Sequence, residues 1–198
     1  DPIDNPQIAV FTQKGYDNPA NQVFGTTRGR AHQGIDLFTL EGSNLYACLS
    51  GKVVITRNKD KVGHQYVVIE VSKKSQLEIF RKRRRSDYVK IDPKEYLEGE
   101  GFNKDSDKIY FVYYHMKILV NEGQDINAGD VIGKSGITGI DLGTHGPHLH
   151  FEIKSVNSFP HGLAGRVNPA LYLYYKKKSK LTEAEMNIQR KRKEKGYK

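Results

Sequence analysis

The sequence predicts an all-β domain of antiparallel sheets made of short strands, followed by a helical C-terminal tail. Three observations lead to this prediction. Apolar and polar residues alternate in several short runs, Gly, Asn and Asp separate these runs, and long helical periodicity is absent until the tail. A chain of 198 residues can also bury a sizeable core within one domain that carries appendages.

Composition divides the chain into an arm, a domain and a tail. Residues 1–20 contain Pro2, Pro6 and Pro19 among Asn, Asp and Gly, which is typical of an extended arm. Residues 21–175 hold the strand-like runs and form the domain. Residues 176–198 are strongly basic, and the stretch 181–195 is typical of a capped, charged and peripheral helix.

The predicted strands follow one another as residues 35–40, 44–49, 51–57, 65–72, 108–116 and 148–153. In the run 65–72, alternation places Tyr66, Val68 and Glu70 on one face and apolar side chains on the other. In the run 108–116, the same rule groups His115 with Ile109, Phe111 and Tyr113. We therefore expect that face to carry His115 towards the other candidate site residues.

The strand 148–153 contains the first candidate site. Its apolar side chains enter the core together, while His148, His150 and Glu152 share the opposite face. Burying two imidazoles among apolar neighbours is costly unless something binds them. The pair therefore indicates a metal site, or a ligand site with a proton-transfer group.

His32 and Asp36 form the second candidate element, four residues apart where a Gly-containing loop runs into a strand. With one of the two histidines at 148 and 150 they supply three nitrogen or oxygen ligands. Three protein ligands and one open position are the usual composition of a catalytic zinc site, whereas structural zinc sites are closed and rich in cysteine. Cys48 is the one cysteine of the chain, which excludes a structural thiolate site.

Three motifs occur in a defined order, His32-x-x-x-Asp36, Tyr113-x-His115 and His148-x-His150. In this order they resemble the signature of the lysostaphin-type (LytM-like) zinc metalloendopeptidases, which cut peptide cross-bridges of bacterial peptidoglycan. The resemblance covers most of residues 20–175. It extends to Phe24-Gly25 with Arg28, Gly51-Lys-Val-Val54, Tyr66-Val-Val-Ile69, residues 123–136 and Val167-Asn-Pro169.

The resemblance implies a barrel-sandwich hybrid in which His32, Asp36 and His150 hold Zn²⁺ and His115 and His148 are the catalytic histidines beside the metal. It also implies hydrolysis of peptidoglycan cross-links through a metal-activated water. Pentaglycine bridges, direct D,D cross-links and free peptides need similar zinc chemistry, so the scissile bond stays open. The alternative is a non-catalytic wall-binding protein or a regulator of another hydrolase. Such proteins typically lack a ligand, and none is missing here.

Two departures from the family pattern stand out. Some relatives place a Tyr six residues before the first ligand to steady the oxyanion, where this chain has Thr26. Arg28, Arg30 and Tyr113 are the candidates to replace it. Family members also use a short hairpin where this chain has residues 73–107. This segment is therefore predicted to be an insertion that could line or cover one end of a substrate groove.

Four further residues are weaker site candidates. Glu152 lies on the His150 face, either as an ordinary strand carboxylate or as a partner of that ring. His145 precedes the His148 motif in a turn. His64 and His161 also fall in turn sequences and are expected to be solvated.

Positive charge is concentrated in the tail, where ten Lys or Arg against three Glu account for +7 of the formal net charge of +9. The tail is either a solvated helix end or a surface for an anionic cell-wall polymer. The block from Arg81 to Arg85 is either a polyanion patch or a charged loop neutralised by the acidic residues after it. The chain has no nucleic-acid recognition motif, so we expect no specific nucleic-acid ligand.

The cellular location follows from the implied substrate. We expect a secreted, periplasmic or cell-envelope protein that acts on peptidoglycan peptides as a monomer. No run of about twenty apolar residues is present to span a membrane. The first residues lack the basic and apolar regions of a secretory signal.

Overall fold

The computed structural model describes residues 1–10, 19–58, 65–140 and 146–194. Its strands are β1 (Ile35–Phe38), β2 (Asn44–Tyr46), β3 (Gly51–Arg57), β4 (Tyr66–Val71), β5 (Ile109–Tyr114), β6 (Met116–Ile118), β7 (Asp125–Ile126), β8 (Val131–Ser135), β9 (His148–Lys154) and β10 (Arg166–Val167). Its α-helices are α1 (Lys74–Lys82) and α2 (Glu183–Glu194). Short 3₁₀ turns occupy Pro19–Gln22, Pro169–Leu171 and Lys178–Lys180.

The strands form two antiparallel sheets. The larger sheet has the order β1-β9-β5-β4-β3-β7, with β10 also paired to β9, and the smaller has the order β2-β8-β6. Every strand pair within these sheets is antiparallel. The predicted all-β antiparallel class is therefore confirmed. The predicted strands 35–40 and 44–49 end earlier than expected, at Phe38 and Tyr46.

One face of the larger sheet builds the core. Alternate residues of its central strands are buried together with side chains of the smaller sheet, and burial of each large apolar side chain contributes roughly 1.5–3 kcal/mol. The buried members include Val67, Ile69, Phe111, Leu149, Phe151, Leu45, Met116 and Ile132. The opposite face of β4 and β5 carries a second, smaller buried cluster of Tyr66, Val68, Tyr110 and Val112, and β9 adds polar groups to this face.

A row of cross-strand neighbours runs across that opposite face. Tyr66 of β4 pairs with Tyr114 of β5, Tyr114 pairs with His150 of β9, and His150 pairs with Asp36 of β1. Directly opposite residues of an antiparallel pair have neighbouring side chains. The register thus brings Asp36 beside His150 although more than a hundred residues separate them.

His115 reaches this face by a route that alternation did not predict. Ile109, Phe111 and Tyr113 do share a face, but it is the core face, and all three are buried. Strand β5 ends at Tyr114, and His115 adopts a left-handed backbone with φ of 62°. This conformation is uncommon for a residue other than Gly and turns the chain sharply. The predicted grouping of His115 with Tyr113 was therefore wrong.

Helix α1 was missed by the sequence pattern, and no α-helix forms at residues 93–97, where a helical turn was considered. Leu77 and Phe80 lie three positions apart, which places them on one side of α1 and buries both. The Phe80 ring stacks on Tyr172 with centroids 4.2 Å apart. Two apolar positions in a short helix produce too little periodicity to stand out among the surrounding charges.

The segment 73–107 packs against the residues that lead into the candidate site. Thr26 donates its backbone N–H to the carbonyl of Lys94 at 3.1 Å, and the N–H of Tyr96 donates to the carbonyl of Phe24 at 3.1 Å. Between them Glu95 is buried and accepts from Asn168 Nδ2 at 2.7 Å. The segment therefore supports the loop before His32 from outside the core.

The basic block from Arg81 to Arg85 is engaged in contacts within the chain. Arg81 donates to the carbonyls of Lys104 and Ser106, and Arg83 donates to the carbonyl of Cys48. Arg84 pairs with Glu98, and Arg85 pairs with Asp87. These contacts favour the interpretation as a charged segment neutralised internally.

The N-terminal arm and α2 pack together on the edge of β1. Ala9 donates its N–H to the carbonyl of Asp36 at 3.0 Å. The buried Gln189 of α2 accepts from Val10 N at 2.9 Å and donates to the Ile8 carbonyl at 3.2 Å. Helix α2 is thus a surface helix that is anchored to the arm through Gln189, while its other described side chains are exposed or half-buried. In the part of the chain that the structure describes, neither α-helix combines the length and the apolar composition needed to cross a bilayer.

Candidate metal centre and active site

Three side chains converge at the end of the cross-strand row. His150 Nδ1 lies 2.8 Å from Asp36 Oδ1, His32 Nε2 lies 3.1 Å from the same oxygen, and the two ring nitrogens are 3.0 Å apart. Strands β1 and β9 supply Asp36 and His150, and the loop before β1 supplies His32. The structure therefore brings together the three residues predicted as metal ligands.

Gly34 allows the loop carrying His32 to lie directly on β9. A Cβ atom at this position would overlap the backbone carbonyl of Phe151 and come within 3.0 Å of His150 Nε2. A side chain here would push the loop away from the strand. The Gly between His32 and Asp36 in this motif is thus required by packing.

Backbone carbonyls determine the tautomers of three histidines. His32, His115 and His148 each have Nδ1 within 2.8–2.9 Å of a carbonyl oxygen, belonging to Val23, Thr138 and Gly146 respectively. Because a carbonyl can only accept, Nδ1 carries the proton in each neutral ring. Nε2 is then the nitrogen with the lone pair, available to bind a metal or accept a proton.

His150 is held in the opposite orientation. Its Nε2 lies 3.2 Å from Glu152 Oε1, and its Nδ1 faces Asp36. Burial opposes a charge on this ring, but the hydrogen bonds to Asp36 and Glu152 outweigh burial and raise the pKa of His150 to about 9. A metal at Nδ1 would replace the proton on that nitrogen while Glu152 kept the proton on Nε2.

The rings of His32, His115 and His148 are neutral at physiological pH. Burial lowers the pKa of His32 to about 4, although Asp36 acts in the opposite direction. Burial also lowers the pKa of His148 and, together with the nearby His148 and His150 rings, holds the pKa of His115 well below its ordinary value. Neutral imidazoles can coordinate a metal or act as general bases.

Asp36 is buried and ionised. Burial would raise the pKa of its carboxyl group, but His32 and the guanidinium of Arg28 hold that pKa well below its ordinary value. Arg28 Nη2 donates to Asp36 Oδ2 and lies 3.3 Å from His32 Nε2. Oδ2 is therefore engaged by Arg28, while Oδ1 faces the two imidazoles.

The converging side chains line a cavity of about 420 Å³. Other residues around it include Arg28, Arg30, Gln33, Tyr114, His115, Ile140, His148 and Glu152. The rings of His115 and His148 lie side by side, with centroids 4.8 Å apart. Both histidines predicted to be catalytic therefore lie at the same cavity as the predicted ligands.

Tyr113 does not reach this cavity, so the proposal that it assists the oxyanion was wrong. It is buried in the core, where its hydroxyl accepts the backbone N–H of Cys48 at 3.1 Å. Its neighbour Tyr114 lines the cavity instead, with its ring 5.3 Å from that of His150. The alternation that places Tyr113 in the core requires Tyr114 to face the site, and this signal was available in the sequence.

The weaker candidates have different outcomes. Glu152 is buried and bonded to His150, so it is a partner of that ring and not an ordinary strand carboxylate. His161 is exposed. His64 and His145 lie outside the described residues.

The donor set fits zinc. Two imidazole nitrogens and one carboxylate oxygen are ligands that zinc takes in catalytic sites with three protein ligands. Adjacent ligand atoms around a tetrahedral zinc lie about 3.3 Å apart, given bonds of about 2.0–2.1 Å. The three separations of 2.8, 3.1 and 3.0 Å are slightly smaller, so an ion requires only a small spreading of the side chains.

Comparison with known proteins gives a match to one family model. Residues 89–162 match the family model of peptidase family M23, a range that contains His115, His148 and His150 but ends short of the His32 motif. No curated protein sequence gives a significant match.

Several solved structures are similar to this chain. The catalytic domain of lysostaphin from Staphylococcus simulans is 24% identical, with 70% of this chain and 76% of that domain covered and a TM-score of 0.45. A zinc-containing peptidase from Vibrio cholerae is 23% identical, with coverage of 88% and 39% and a TM-score of 0.46. LytU is 22% identical, with coverage of 86% and 92% and a TM-score of 0.45. This chain thus spans well under half of the Vibrio protein.

The family model matches the part of the chain that carries the second and third motifs, and the first motif lies beside them in space. Over residues 89–162 the chain is therefore similar to peptidase family M23.

Proposed function

We propose that this protein is a zinc-dependent endopeptidase that hydrolyses peptide cross-links of bacterial peptidoglycan. The observation that carries the proposal is the arrangement of donor atoms. Asp36 Oδ1, His32 Nε2 and His150 Nδ1 face one another within 3.1 Å. The opposite ring nitrogens of His32 and His150 are engaged by Val23 and Glu152, which leaves these two nitrogens to face a metal. The match of residues 89–162 to a peptidase family supports the reaction class.

The metal would supply the Lewis acidity, because Zn²⁺ lowers the pKa of a bound water and polarises a carbonyl group. The net charge of the ion with two neutral imidazoles and the Asp36 carboxylate would be near +1. Arg28 keeps Asp36 oriented and ionised within the buried site.

His115 and His148 would carry out proton transfer. Each donates Nδ1–H to a backbone carbonyl, so Nε2 is the nitrogen that accepts a proton from the attacking water. His148 Nε2 lies 3.8 Å from Asp36 Oδ1, which places this nitrogen next to the proposed ligands. After accepting a proton, such a ring can return it to the leaving amine or stabilise negative charge on the carbonyl oxygen.

The peptidoglycan substrate is proposed from the lysostaphin-type motifs, and it places the protein at the cell envelope or outside the cell. We also propose that the basic segment 176–198 contacts anionic cell-wall polymers.

The competing function, a wall-binding or regulatory relative without catalysis, predicts a chain that holds no metal. Zinc stoichiometry by elemental analysis separates the two functions.

The decisive experiment uses the zinc-loaded chain and defined muropeptides, with released fragments identified by mass spectrometry. We expect cleavage of peptide cross-links and the identity of the scissile bond from the fragment masses. His150→Ala should abolish cleavage because the site loses a ligand. His161→Ala is the matched control, since His161 is exposed outside the ligand cluster. Full activity of His150→Ala would defeat the proposal.

A further inference from the structure

A buried ion pair lies directly behind His150. Glu152, two residues further along β9, uses both carboxylate oxygens: Oε1 faces His150 Nε2 at 3.2 Å, and Oε2 accepts from Arg166 Nε at 2.8 Å. Both side chains of the Glu152–Arg166 pair are 1% exposed. Burial of two charges is costly, and apolar residues of similar size often give equal or greater stability. Stability alone therefore does not account for the pair.

Arg166 also holds the loop that joins β9 to β10. Its Nη1 donates to the carbonyl oxygens of Pro160 at 3.0 Å and Ala164 at 3.2 Å. Arg166 thus connects a metal-ligand partner, Glu152, to the backbone of residues 155–165. A guanidinium suits this task because its planar fork donates in several fixed directions.

Gln33 holds the same loop from the other side. Its Nε2 donates to the carbonyl oxygen of Gly162 at 2.8 Å, and its neighbour in the chain is the ligand His32. The contacts therefore form a closed network. It runs from His150 through Glu152, Arg166 and the loop to Gln33. It returns to His150 through His32, whose Nε2 lies 3.0 Å from His150 Nδ1.

We infer that Glu152 and Arg166 are positioning residues that keep a proton on His150 Nε2, so that Nδ1 is the nitrogen left to bind the metal, and that loop 155–165 links this orientation to the His32 segment. The inference rests on the proposed metal site. Its physical basis is that Glu152 can only accept, so an ionised Glu152 requires a proton on the ring nitrogen facing it. Loss of such a partner typically weakens metal affinity by about 10–100-fold.

The test measures Zn²⁺ affinity of the full chain by competition with a chromogenic chelator. Glu152→Gln keeps the size of the side chain but has one acceptor oxygen, so it cannot satisfy both His150 and Arg166. We expect its affinity to fall by about 10–100-fold and that of Arg166→Met to fall in the same direction. Glu70→Gln is the matched control. Glu70 lies on the same sheet face but contacts Lys108 and Tyr110, and its substitution should leave affinity unchanged.

A spectroscopic readout separates positioning from general stability. Long-range ¹H–¹⁵N spectra of the zinc-loaded chain should show the His150 ring protonated at Nε2 in the wild type. In Glu152→Gln this proton should exchange faster with solvent because its charged acceptor is lost. Thermal unfolding of each variant without metal reports whether the fold is retained.

Gln33→Ala breaks the closed network of contacts at its more accessible side. It is the variant to use if Glu152→Gln fails to fold. We expect about a threefold loss of Zn²⁺ affinity, and the combined Gln33→Ala and Arg166→Met effects should be less than additive because both release the same loop. Unchanged affinity in Glu152→Gln, or in Gln33→Ala, overturns the inference. A wild-type chain that takes up no zinc overturns the proposed function instead.

Discussion

The rings of His115 and His148 lie 4.8 Å apart, and each directs Nδ1 to a backbone carbonyl. The two residues come from different segments, one after β5 and one at the start of β9. Neither belongs to the three-residue group that could hold a metal. The pair therefore stands apart from the proposed metal ligands although it shares their cavity.

This separation predicts the effect of His148→Ala. Loss of a general acid or base lowers kcat by about 10²–10⁴-fold, whereas all three proposed ligands stay in place. We expect a large loss of muropeptide cleavage with one zinc retained per chain. Steady-state kinetics and elemental analysis check the two parts. Loss of zinc from His148→Ala would show instead that this ring is a ligand.

The two adjacent tyrosines should respond to substitution in opposite ways. Tyr113→Phe removes the acceptor of a buried backbone N–H, which costs about 1–3 kcal/mol of unfolding free energy, and it leaves kcat unchanged.

Tyr114→Phe should lower kcat at similar stability. Burial raises the pKa of Tyr114, so its hydroxyl stays protonated and can donate towards a developing oxyanion. Removing one such donor costs about 10²–10³-fold when it acts alone. Urea denaturation and steady-state kinetics of both variants test the contrast. A kinetic loss confined to Tyr113→Phe would contradict the placement of the two rings.

Gly34→Ala should damage stability and metal binding together. The new Cβ would overlap the carbonyl group of Phe151, and overpacking of this kind costs about 1–3 kcal/mol or more. The control is Gly42→Ala, where φ is +83° but no atom lies within 4 Å of the added Cβ. Backbone strain alone costs about 1 kcal/mol or more there, and zinc affinity should not change. Equal zinc affinity of the two variants would contradict the packing argument.

Acid sensitivity of the protein without zinc should depend on His115. Its folded-state pKa lies well below 6.5, so below pH 6.5 the unfolded chain binds a proton that the folded chain rejects. The unfolding free energy therefore falls by about 1.4 kcal/mol per pH unit from this group. The contribution of His115 to stability is fully present above 6.5 and is lost as the pH falls.

His115→Gln isolates that contribution, because His32 and His148 titrate in both proteins. Urea unfolding with a chelator present, at about pH 7.5 and about pH 5.5, should show a smaller loss of stability for the variant. The same loss in both proteins would mean that His115 titrates normally in the fold.

Local patterns in the sequence were sufficient for much of the sheet. Alternation predicted that β4 would bury Val67 and Ile69 and turn Tyr66 away, and β4 has that arrangement. Alternation in β9 likewise separated His148 and His150 from the core residues between and after them. Such predictions succeed because the side-chain period of a strand is a property of consecutive residues.

Helix α1 and the position of His115 could not be predicted from local patterns in the sequence. Helix α1 is stabilised by Leu77 and Phe80 packing on distant residues, so its own sequence carries little signal. At His115 a single left-handed residue ends the alternation, and no local pattern marks that change.

By itself, the sequence determined the kinds of donor atoms in this protein and the strand faces on which most of them stand. Only the tertiary structure decided that Asp36 meets His150 across a sheet, that His115 turns into the cavity, and that Glu152 is bonded through Arg166 to the loop of residues 155–165. The physical reason is that the face on which a strand residue stands depends on its neighbours along the chain. Contacts between distant residues depend instead on strand register and on packing between segments that only the folded chain brings together.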